Sequence, residues 1–155
     1  MRAMLLRAQA PIATSPLEAA EIAEPTPGPG EIRVRVRCCA ACRTDLHVIE
    51  GDLAPRRLPL VPGHQVVGTV EALGPGARRF ASGDRVGIAW LRSTCGVCAF
   101  CRAGRENLCE QSTYTGWTHD GGYGRSCCVP EAFAYAIPPA FADAEAAPLL
   151  CAGII

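Results

Sequence analysis

The sequence of 155 residues places four cysteines in one short stretch, TCGVCAFCRAGRENLC. They are Cys95, Cys98, Cys101 and Cys109, spaced as C-x2-C-x2-C-x7-C. Four thiolates on one loop suit a closed tetrahedral zinc site, and the metal would hold a long loop that has little core of its own. Bacterial iron–sulfur ligation uses C-x2-C-x2-C-x3-C-P, and neither the last gap nor the proline matches here. We therefore predict a zinc site on this loop.

A second set of candidate ligands is scattered over the chain: Cys42 in CRTDLH, His64 in PGHQVVG, and Cys151 in the apolar run APLLCAGII. A catalytic zinc needs three protein ligands and an open position, and two cysteines with one histidine form a known set. Asp45 could support such a site by accepting a hydrogen bond from the far nitrogen of His64. Single histidines and cysteines are more often structural, so the spacing alone leaves both interpretations open.

Charge and composition limit the classes of function. Fifteen basic and fifteen acidic residues balance, so no net positive charge favours binding to nucleic acid or to an anionic membrane. The same balance argues against a zinc module that binds nucleic acid. Arg7 shortens the apolar N-terminal stretch well below the ~7–15 residues of a signal peptide's hydrophobic region, and no run reaches the ~20 apolar residues of a spanning helix. Ten cysteines would suggest disulfides in a secreted chain, but without an export signal metal binding is the better explanation. We expect a soluble, cytoplasmic protein that binds neither nucleic acid nor membranes.

The elements that must position these ligands are mostly strands. Residues 31–38, EIRVRVRC, alternate strictly, with Ile32, Val34, Val36 and Cys38 on one face and arginines on the other, which predicts a half-buried strand. Many short strands separated by Gly/Pro turns predict a small β-barrel or sandwich. Further strands are predicted at residues 65–73, 84–89, 123–129 and 133–137, and helices at 44–50 and from the N-cap Asp143 through 147.

Taken in order, these motifs resemble the N-terminal, GroES-like catalytic domain of zinc-dependent alcohol dehydrogenases, in the medium-chain dehydrogenase/reductase superfamily. The resemblance covers residues 1–155 and rests on GPGEIRVRV, CRTDLH, LPLVPGHQVVGTVEALG, GDRVG, the four-cysteine loop and PLLCAG. It implies a mostly β fold, a GroES-like β-barrel with short helices and a structural-zinc loop. Residues 1–155 would form that one domain.

The resemblance also implies roles for individual residues and two zinc ions per chain. Thr44 matches the hydroxyl that takes the alcohol proton, with Asp45 beside it, and His47 matches the outer end of the proton relay. Arg43 occupies a position that faces the pyrophosphate of the cofactor, NAD or NADP. Leu53, Leu91 and Trp117 are expected near the substrate. The catalytic zinc ligands would be Cys42, His64 and Cys151, and the structural zinc ligands Cys95, Cys98, Cys101 and Cys109.

The implied activity is oxidation of alcohols to aldehydes or ketones, or the reverse, by an enzyme that forms homodimers or homotetramers. No G-x-G-x-x-G follows a strand and opens a helix, so the Rossmann cofactor domain is expected to be absent from this chain. Its end within PLLCAGII suggests a domain truncated at the C-terminal side and inactive in isolation. The alternative is a non-catalytic zinc-binding β-domain, a remnant that serves as a structural or binding module.

Three features depart from the family pattern. Gln65 follows the ligand histidine where the family usually has glutamate, and we weigh a tolerated isostere slightly above slowed turnover. The pairs Cys38–Cys39 and Cys127–Cys128 match no ligand position, so one member of each pair is expected in the core and the other as an exposed thiol prone to oxidation. His119 is expected on the surface rather than in a third metal site.

Overall fold

A computed structural model describes residues 1–151 of the chain. That part of the chain contains nine strands and three α-helices, which confirms the prediction of a mostly β fold. The strands are β1 (Arg2–Leu6), β2 (Leu17–Glu21), β3 (Glu31–Ala40), β4 (Gln65–Leu73), β5 (Arg85–Ile88), β6 (Leu91–Ser93), β7 (Thr113–Tyr114), β8 (Ser126–Pro130) and β9 (Ala134–Ala136). The helices are α1 (Arg43–Glu50), α2 (Ala99–Arg102) and α3 (Asp143–Leu149).

Among the described residues, no helix has both the length and the apolar character needed to cross a membrane.

A five-stranded antiparallel sheet in the order β8-β3-β4-β5-β9 forms the centre of the fold. In the first part of β3, apolar and charged residues alternate because one face packs into the core and the other is more exposed, whereas the first four residues of β4 are all buried. β1 pairs with β2 in a separate hairpin, and β6 pairs with β7. The buried face of the sheet carries Ile32, Val34, Val66, Val70, Val86, Ile88 and Val129.

β3 contains a register shift between Val36 and Cys38 that the sequence pattern does not reveal. Before the shift, Val34 and Val36 pack on the main core as predicted. After it, Cys39 packs on that core, whereas Cys38 packs beside Val67 on the opposite face. The prediction that Cys38 shares the face of Val34 and Val36 is therefore wrong. A bulge adds one residue, and with a side-chain period of two it moves each following side chain to the other face.

The predicted elements agree with the structure except at their ends. β4 spans the predicted residues 65–73, and α1 begins one residue earlier than predicted. β8 and β9 are shorter than their predicted segments, and the sequence reasoning missed β1, β2, β6, β7 and α2. Most of the missed elements are short and show no clear alternation in sequence. Their conformation depends on tertiary contacts, which a local sequence pattern does not reveal.

Asp143 is not the N-cap of α3. Ala142 holds that position, and its backbone N–H donates to the Glu145 carboxylate at 3.0 Å. The Asp143 carboxylate instead pairs with the guanidinium groups of Arg37 and Arg85, each at 2.7 Å. These two ion pairs tie the start of α3 to β3 and β5, the strands on either side of β4.

Two packing contacts position the elements that carry the candidate ligands. Ala146 and Ala147 of α3 pack against Val67 of β4, which brings the end of α3 to the central sheet. Val48 and Ile49 of α1 pack in a second core cluster with Leu6 and Leu60. Small side chains on α3 allow a close approach of helix and sheet. The start of α1 comes near β4 because α1 follows β3, whose last residue, Ala40, pairs with Gln65.

Candidate functional site

Cys42, His64 and Cys151 come together although they lie far apart in the sequence. Cys42 precedes α1, His64 precedes β4, and Cys151 follows α3. One ligand atom from each residue lies within 4.8 Å of the other two. The Cys42 Sγ is 3.3 Å from the His64 Nε2. Three elements thus supply two sulfurs and one imidazole nitrogen to one point.

The position of Cys42 is fixed by the start of α1. Cys42 is the N-cap residue, and its Sγ accepts a hydrogen bond from the Thr44 backbone N–H at 3.4 Å. Its own backbone N–H donates to the Asp45 Oδ2 at 2.8 Å. This reciprocal arrangement is a capping box, which satisfies otherwise unpaired N–H groups in the first helical turn. The helix start therefore holds the sulfur in a defined direction.

Asp45 also orients His64. Its second oxygen, Oδ1, lies 3.0 Å from the His64 Nδ1, and both side chains are at least 95% buried. The carboxylate accepts a hydrogen bond from the Nδ1–H group, so Nε2 carries the lone pair, and this nitrogen is the one beside the Cys42 sulfur. The contact expected from the sequence is present. Gly63, the residue before His64, has a φ of +96°, which favours glycine. A Cβ at this position would also lie 2.6 Å from the Tyr123 ring, so the close approach of the two residues requires glycine.

The donor set fits a zinc ion. Tetrahedral zinc with bonds of about 2.3 Å to sulfur and about 2.0 Å to nitrogen separates the two ligand atoms by roughly 3.5 Å. The distance of 3.3 Å between the Cys42 Sγ and the His64 Nε2 is close to that value. Burial and the neighbouring Cys42 sulfur raise the pKa of Cys151 to about 11. A bound divalent cation would reverse that effect by stabilising thiolates, and the three donors would leave a fourth position open.

The four-cysteine loop forms a second cluster, with its sulfurs all within 4.8 Å of one another. The Cys101 Sγ lies 3.5 Å from the Cys98 Sγ and 3.9 Å from the Cys95 Sγ. A tetrahedral zinc site with four thiolate ligands and bonds of about 2.3 Å requires roughly 3.8 Å between sulfurs. Backbone N–H groups of Val97 and Cys98 lower the pKa of Cys95 to about 6. The loop therefore fits a closed zinc site.

The remaining predicted residues of the site lie on α1. Thr44 and His47 are three residues apart, so they share one side of the helix. The His47 Nδ1 lies 2.6 Å from the Asp52 Oδ2. Arg43 is exposed and lines a cavity of ≈ 530 Å³ together with Cys42 and other residues.

An aromatic group beside His64 was not identified from the sequence. The rings of Trp90 and His64 form a T-shaped pair with centroids 5.0 Å apart and an interplanar angle of 73°. Trp90 stacks on Tyr114 at 4.9 Å and on Trp117 at 5.8 Å. Leu53 packs in the same cluster. Of the residues expected near the substrate, Trp117 and Leu53 lie in this group. Trp90 was not predicted because no local sequence signal marks it.

Gln65 lies directly beside the first cluster and is 1% exposed. Neither atom of its side-chain amide has a hydrogen-bond partner among residues 1–151. A buried amide without partners costs free energy of folding. The place usually held by a glutamate thus carries a neutral but unsatisfied side chain.

The other cysteines and His119 belong to neither cluster. Cys127 is buried in the main core, as expected for one member of its pair. Burial raises the pKa of Cys128 to about 11, so the expectation of an oxidation-prone thiol is not supported at this position. His119 is partly buried, and its Nδ1 lies 2.9 Å from the Thr118 hydroxyl. Burial lowers the pKa of His119, and the positive charges of Arg92 and Arg57 lower it further.

Comparison with known sequences identifies a family and several relatives. Residues 28–139 match the family described as alcohol dehydrogenase GroES-like domain. A probable alcohol dehydrogenase, AdhA, of Mycobacterium tuberculosis is 54% identical over 160 residues, covering 100% of this chain and 46% of the relative. An alcohol dehydrogenase of Geobacillus stearothermophilus is 44% identical and is matched over 90% of this chain and 42% of its own length. The chain thus spans less than half the length of these relatives.

Solved structures of alcohol dehydrogenases also superpose on this chain. An NAD-dependent alcohol dehydrogenase superposes with a TM-score of 0.87 at 36% identity, covering 97% of this chain and 43% of the other. A cobalt- and zinc-bound thermostable alcohol dehydrogenase from Pyrobaculum aerophilum gives a TM-score of 0.87 at 32% identity, with 96% and 44% coverage.

Proposed function

The chain belongs to the alcohol dehydrogenase family with a GroES-like domain, and from that premise we propose that residues 1–155 form the zinc-binding catalytic half of an alcohol dehydrogenase. The proposed reaction converts alcohols to aldehydes or ketones, or the reverse, with NAD or NADP. The relatives are about twice as long as this chain, so the cofactor-binding part would be supplied by a segment outside residues 1–155. We expect residues 1–155 alone to be inactive.

The observation that carries the proposal is the convergence of Cys42, His64 and Cys151. Three donors from three separate elements lie within 4.8 Å of one another, and Asp45 hydrogen-bonds to two of these residues at once. Outer carboxylates of this kind orient metal-ligating histidines. Three protein donors leave a position for a substrate oxygen, as catalytic zinc sites require.

The proposed roles follow from the positions on α1. Zinc at this site would act as a Lewis acid that polarises a substrate oxygen and favours loss of its proton. Thr44, two residues after Cys42, would accept that proton, and the partly exposed His47 would pass it to solvent. Arg43 is exposed at the start of the helix, where its charge suits the pyrophosphate of the cofactor.

The aromatic group supplies the apolar side of the proposed substrate site. Trp90 contacts His64 directly, and Trp117 and Tyr114 extend the stack away from it. Apolar and aromatic walls with a few polar groups are typical of small-molecule sites. This wall would hold the hydrocarbon part of the alcohol or aldehyde.

The second cluster would hold a structural zinc. All four of its donors are cysteines, and its geometry leaves no open ligand position. Such a metal contributes directly to folding of the loop that carries it.

Zinc counting by mass spectrometry tests the proposal without any activity assay. We expect two zinc ions per purified chain, and one in each of the variants His64→Ala and Cys101→Ser. The control Cys128→Ser, which changes a cysteine outside both clusters, should keep two. One zinc in the unchanged chain and none in Cys101→Ser would contradict the catalytic site and favour a zinc-binding structural module.

A further inference from the structure

A short hydrogen bond links His47 to the turn that follows its helix. The His47 Nδ1 and the Asp52 Oδ2 are 2.6 Å apart. An ionised carboxylate only accepts hydrogen bonds, so the proton of this bond must sit on Nδ1. The other carboxylates of α1 are engaged elsewhere: Asp45 holds Cys42 and His64, and Glu50 accepts from the Ile12 backbone N–H at 2.9 Å.

The turn is built to keep Asp52 in place. α1 ends at Glu50 and is capped by Gly51, whose φ of +101° is the left-handed conformation that favours glycine. The backbone N–H groups of Gly51 and Leu53 both donate to the His47 carbonyl, at 3.2 and 3.1 Å. Asp52 therefore lies between two residues anchored to the histidine that its side chain contacts.

A side chain from another part of the fold locks the same turn. The Gln9 amide donates to the Val48 carbonyl at 2.7 Å and to the Leu53 carbonyl at 2.9 Å. The two carbonyls lie on either side of the turn, so Gln9 ties the end of α1 to the segment after it. The carboxylate of Asp52 is thus presented by a fixed backbone.

We propose that Asp52 is a positioning residue that holds His47 in the Nδ1–H tautomer, so that Nε2 is the proton acceptor. The inference rests on the proposed role of His47 in proton transfer. A neutral imidazole carries one N–H and one lone pair, and the carboxylate decides which nitrogen keeps the proton. A proton arriving from the Thr44 hydroxyl binds Nε2 and later leaves to solvent from Nε2. The Nδ1 proton stays on the ring throughout.

A purely structural role does not explain why so many hydrogen bonds fix the turn that carries Asp52. The side chains of His47 and Asp52 are 36% and 61% exposed. Exposed charged pairs contribute little to the stability of a fold. The pair of Arg7 and Glu18, also exposed and 2.8 Å apart, is a matched example with no connection to the site.

Nuclear magnetic resonance of the 15N-labelled chain tests the proposal directly. Long-range proton–nitrogen spectra at about pH 8.5, roughly two units above the ordinary histidine pKa, distinguish the two neutral tautomers. The variant His47→Gln assigns the ring signals. We expect the Nδ1–H form for His47 in the unchanged chain, the Nε2–H form as the main species in Asp52→Ala, and recovery of Nδ1–H in Asp52→Glu.

Controls separate this result from stability and from the proposed function. Glu18→Ala should leave the His47 tautomer unchanged, and backbone spectra report whether each variant is folded. An Nε2–H ring in the unchanged chain, or the same tautomer before and after Asp52→Ala, would overturn the proposal. Zinc content is counted on the same samples. Absence of zinc at Cys42 in the unchanged chain would refute the proposed metal site, whereas the tautomer of His47 would still be measured independently.

Discussion

The two cysteine clusters are built in opposite ways. The cluster of Cys95, Cys98, Cys101 and Cys109 takes all its donors from one continuous loop. This loop has little core, since Val97 and Leu108 are 65% and 47% exposed.

The cluster of Cys42, His64 and Cys151 takes its donors from three elements that the central sheet brings together. His64 is 1% exposed and is contacted by Asp45 and Trp90. The packing against Trp90 and the hydrogen bond to Asp45 come from the surrounding fold.

The difference shows two ways of preparing a metal site. A loop of closely spaced cysteines gains most of its order from the metal, because few other contacts offset its conformational entropy. A buried site assembled by a fold is preorganised, so the metal adds less to the structure and the protein can leave one ligand position open. We therefore expect the loop to depend on zinc for its structure and the site near α1 to depend on the fold.

The largest expected effect is on the loop. Structural zinc in small metal-dependent domains contributes roughly 10–16 kcal/mol of apparent binding free energy near pH 7. Cys101→Ser should lose one zinc, and hydrogen exchange should show loss of protection in residues 94–112 while β3 and β4 stay protected. Cys128→Ser is the control. Full protection of the loop without zinc would show that it folds unaided.

Removal of the orienting carboxylate should weaken the other site alone. Asp45→Ala deletes the partner of His64 and of the Cys42 N–H, and such outer partners are worth about 10- to 100-fold in metal affinity. Zinc titration against a chelator should show this loss at one of the two sites. Glu50→Ala changes a carboxylate on the same helix and should leave both affinities intact. Equal weakening of both sites would contradict the separation of the clusters.

The same substitution at two glutamines should change stability in opposite directions. Gln65→Leu removes a buried amide without partners among the described residues and should stabilise the chain by about 1–2 kcal/mol. Gln9→Leu leaves the Val48 and Leu53 carbonyls without their donor and should destabilise it by about 1 kcal/mol. Urea unfolding monitored by circular dichroism measures both. A destabilised Gln65→Leu would indicate that the amide has a partner in solution.

The smallest effect concerns cysteines outside the clusters. Burial raises the pKa of Cys39 to about 12 and of Cys128 to about 11. Because the thiolate is the nucleophile, at about pH 8 only about a thousandth of Cys128 is reactive. In zinc-loaded protein, mass spectrometry should find both nearly unmodified by iodoacetamide at that pH, with modification increasing as the pH rises toward 11. Rapid alkylation of Cys128 at neutral pH would restore the expectation of an exposed, oxidation-prone thiol.

Much of the fold could be predicted because its signals are local. The alternation from Ile32 to Val36 predicted β3, and the Gly/Pro turns placed the strands around it. The family match and the solved relatives confirm the GroES-like architecture that the ordered motifs indicated. The spacing of the four cysteines identified their cluster, since the ligands of one loop are necessarily neighbours in space.

The family resemblance named Cys42, His64 and Cys151 as one set, and the structure brings them together. Spacing alone left them undecided, because their meeting depends on β3–β4 pairing and on the packing of α3.

The sequence by itself determined the period of the strands, the four-cysteine loop and the residue types of both candidate sites. Only the tertiary structure decided the bulge that turns Cys38 to the face opposite the main core, the contact of Trp90 with His64, and the hydrogen bond between His47 and Asp52. Local spacing fixes which side chains share a strand or a loop. Contacts between elements arise from register, turn conformation and packing summed over the whole fold, and no short segment of sequence encodes them.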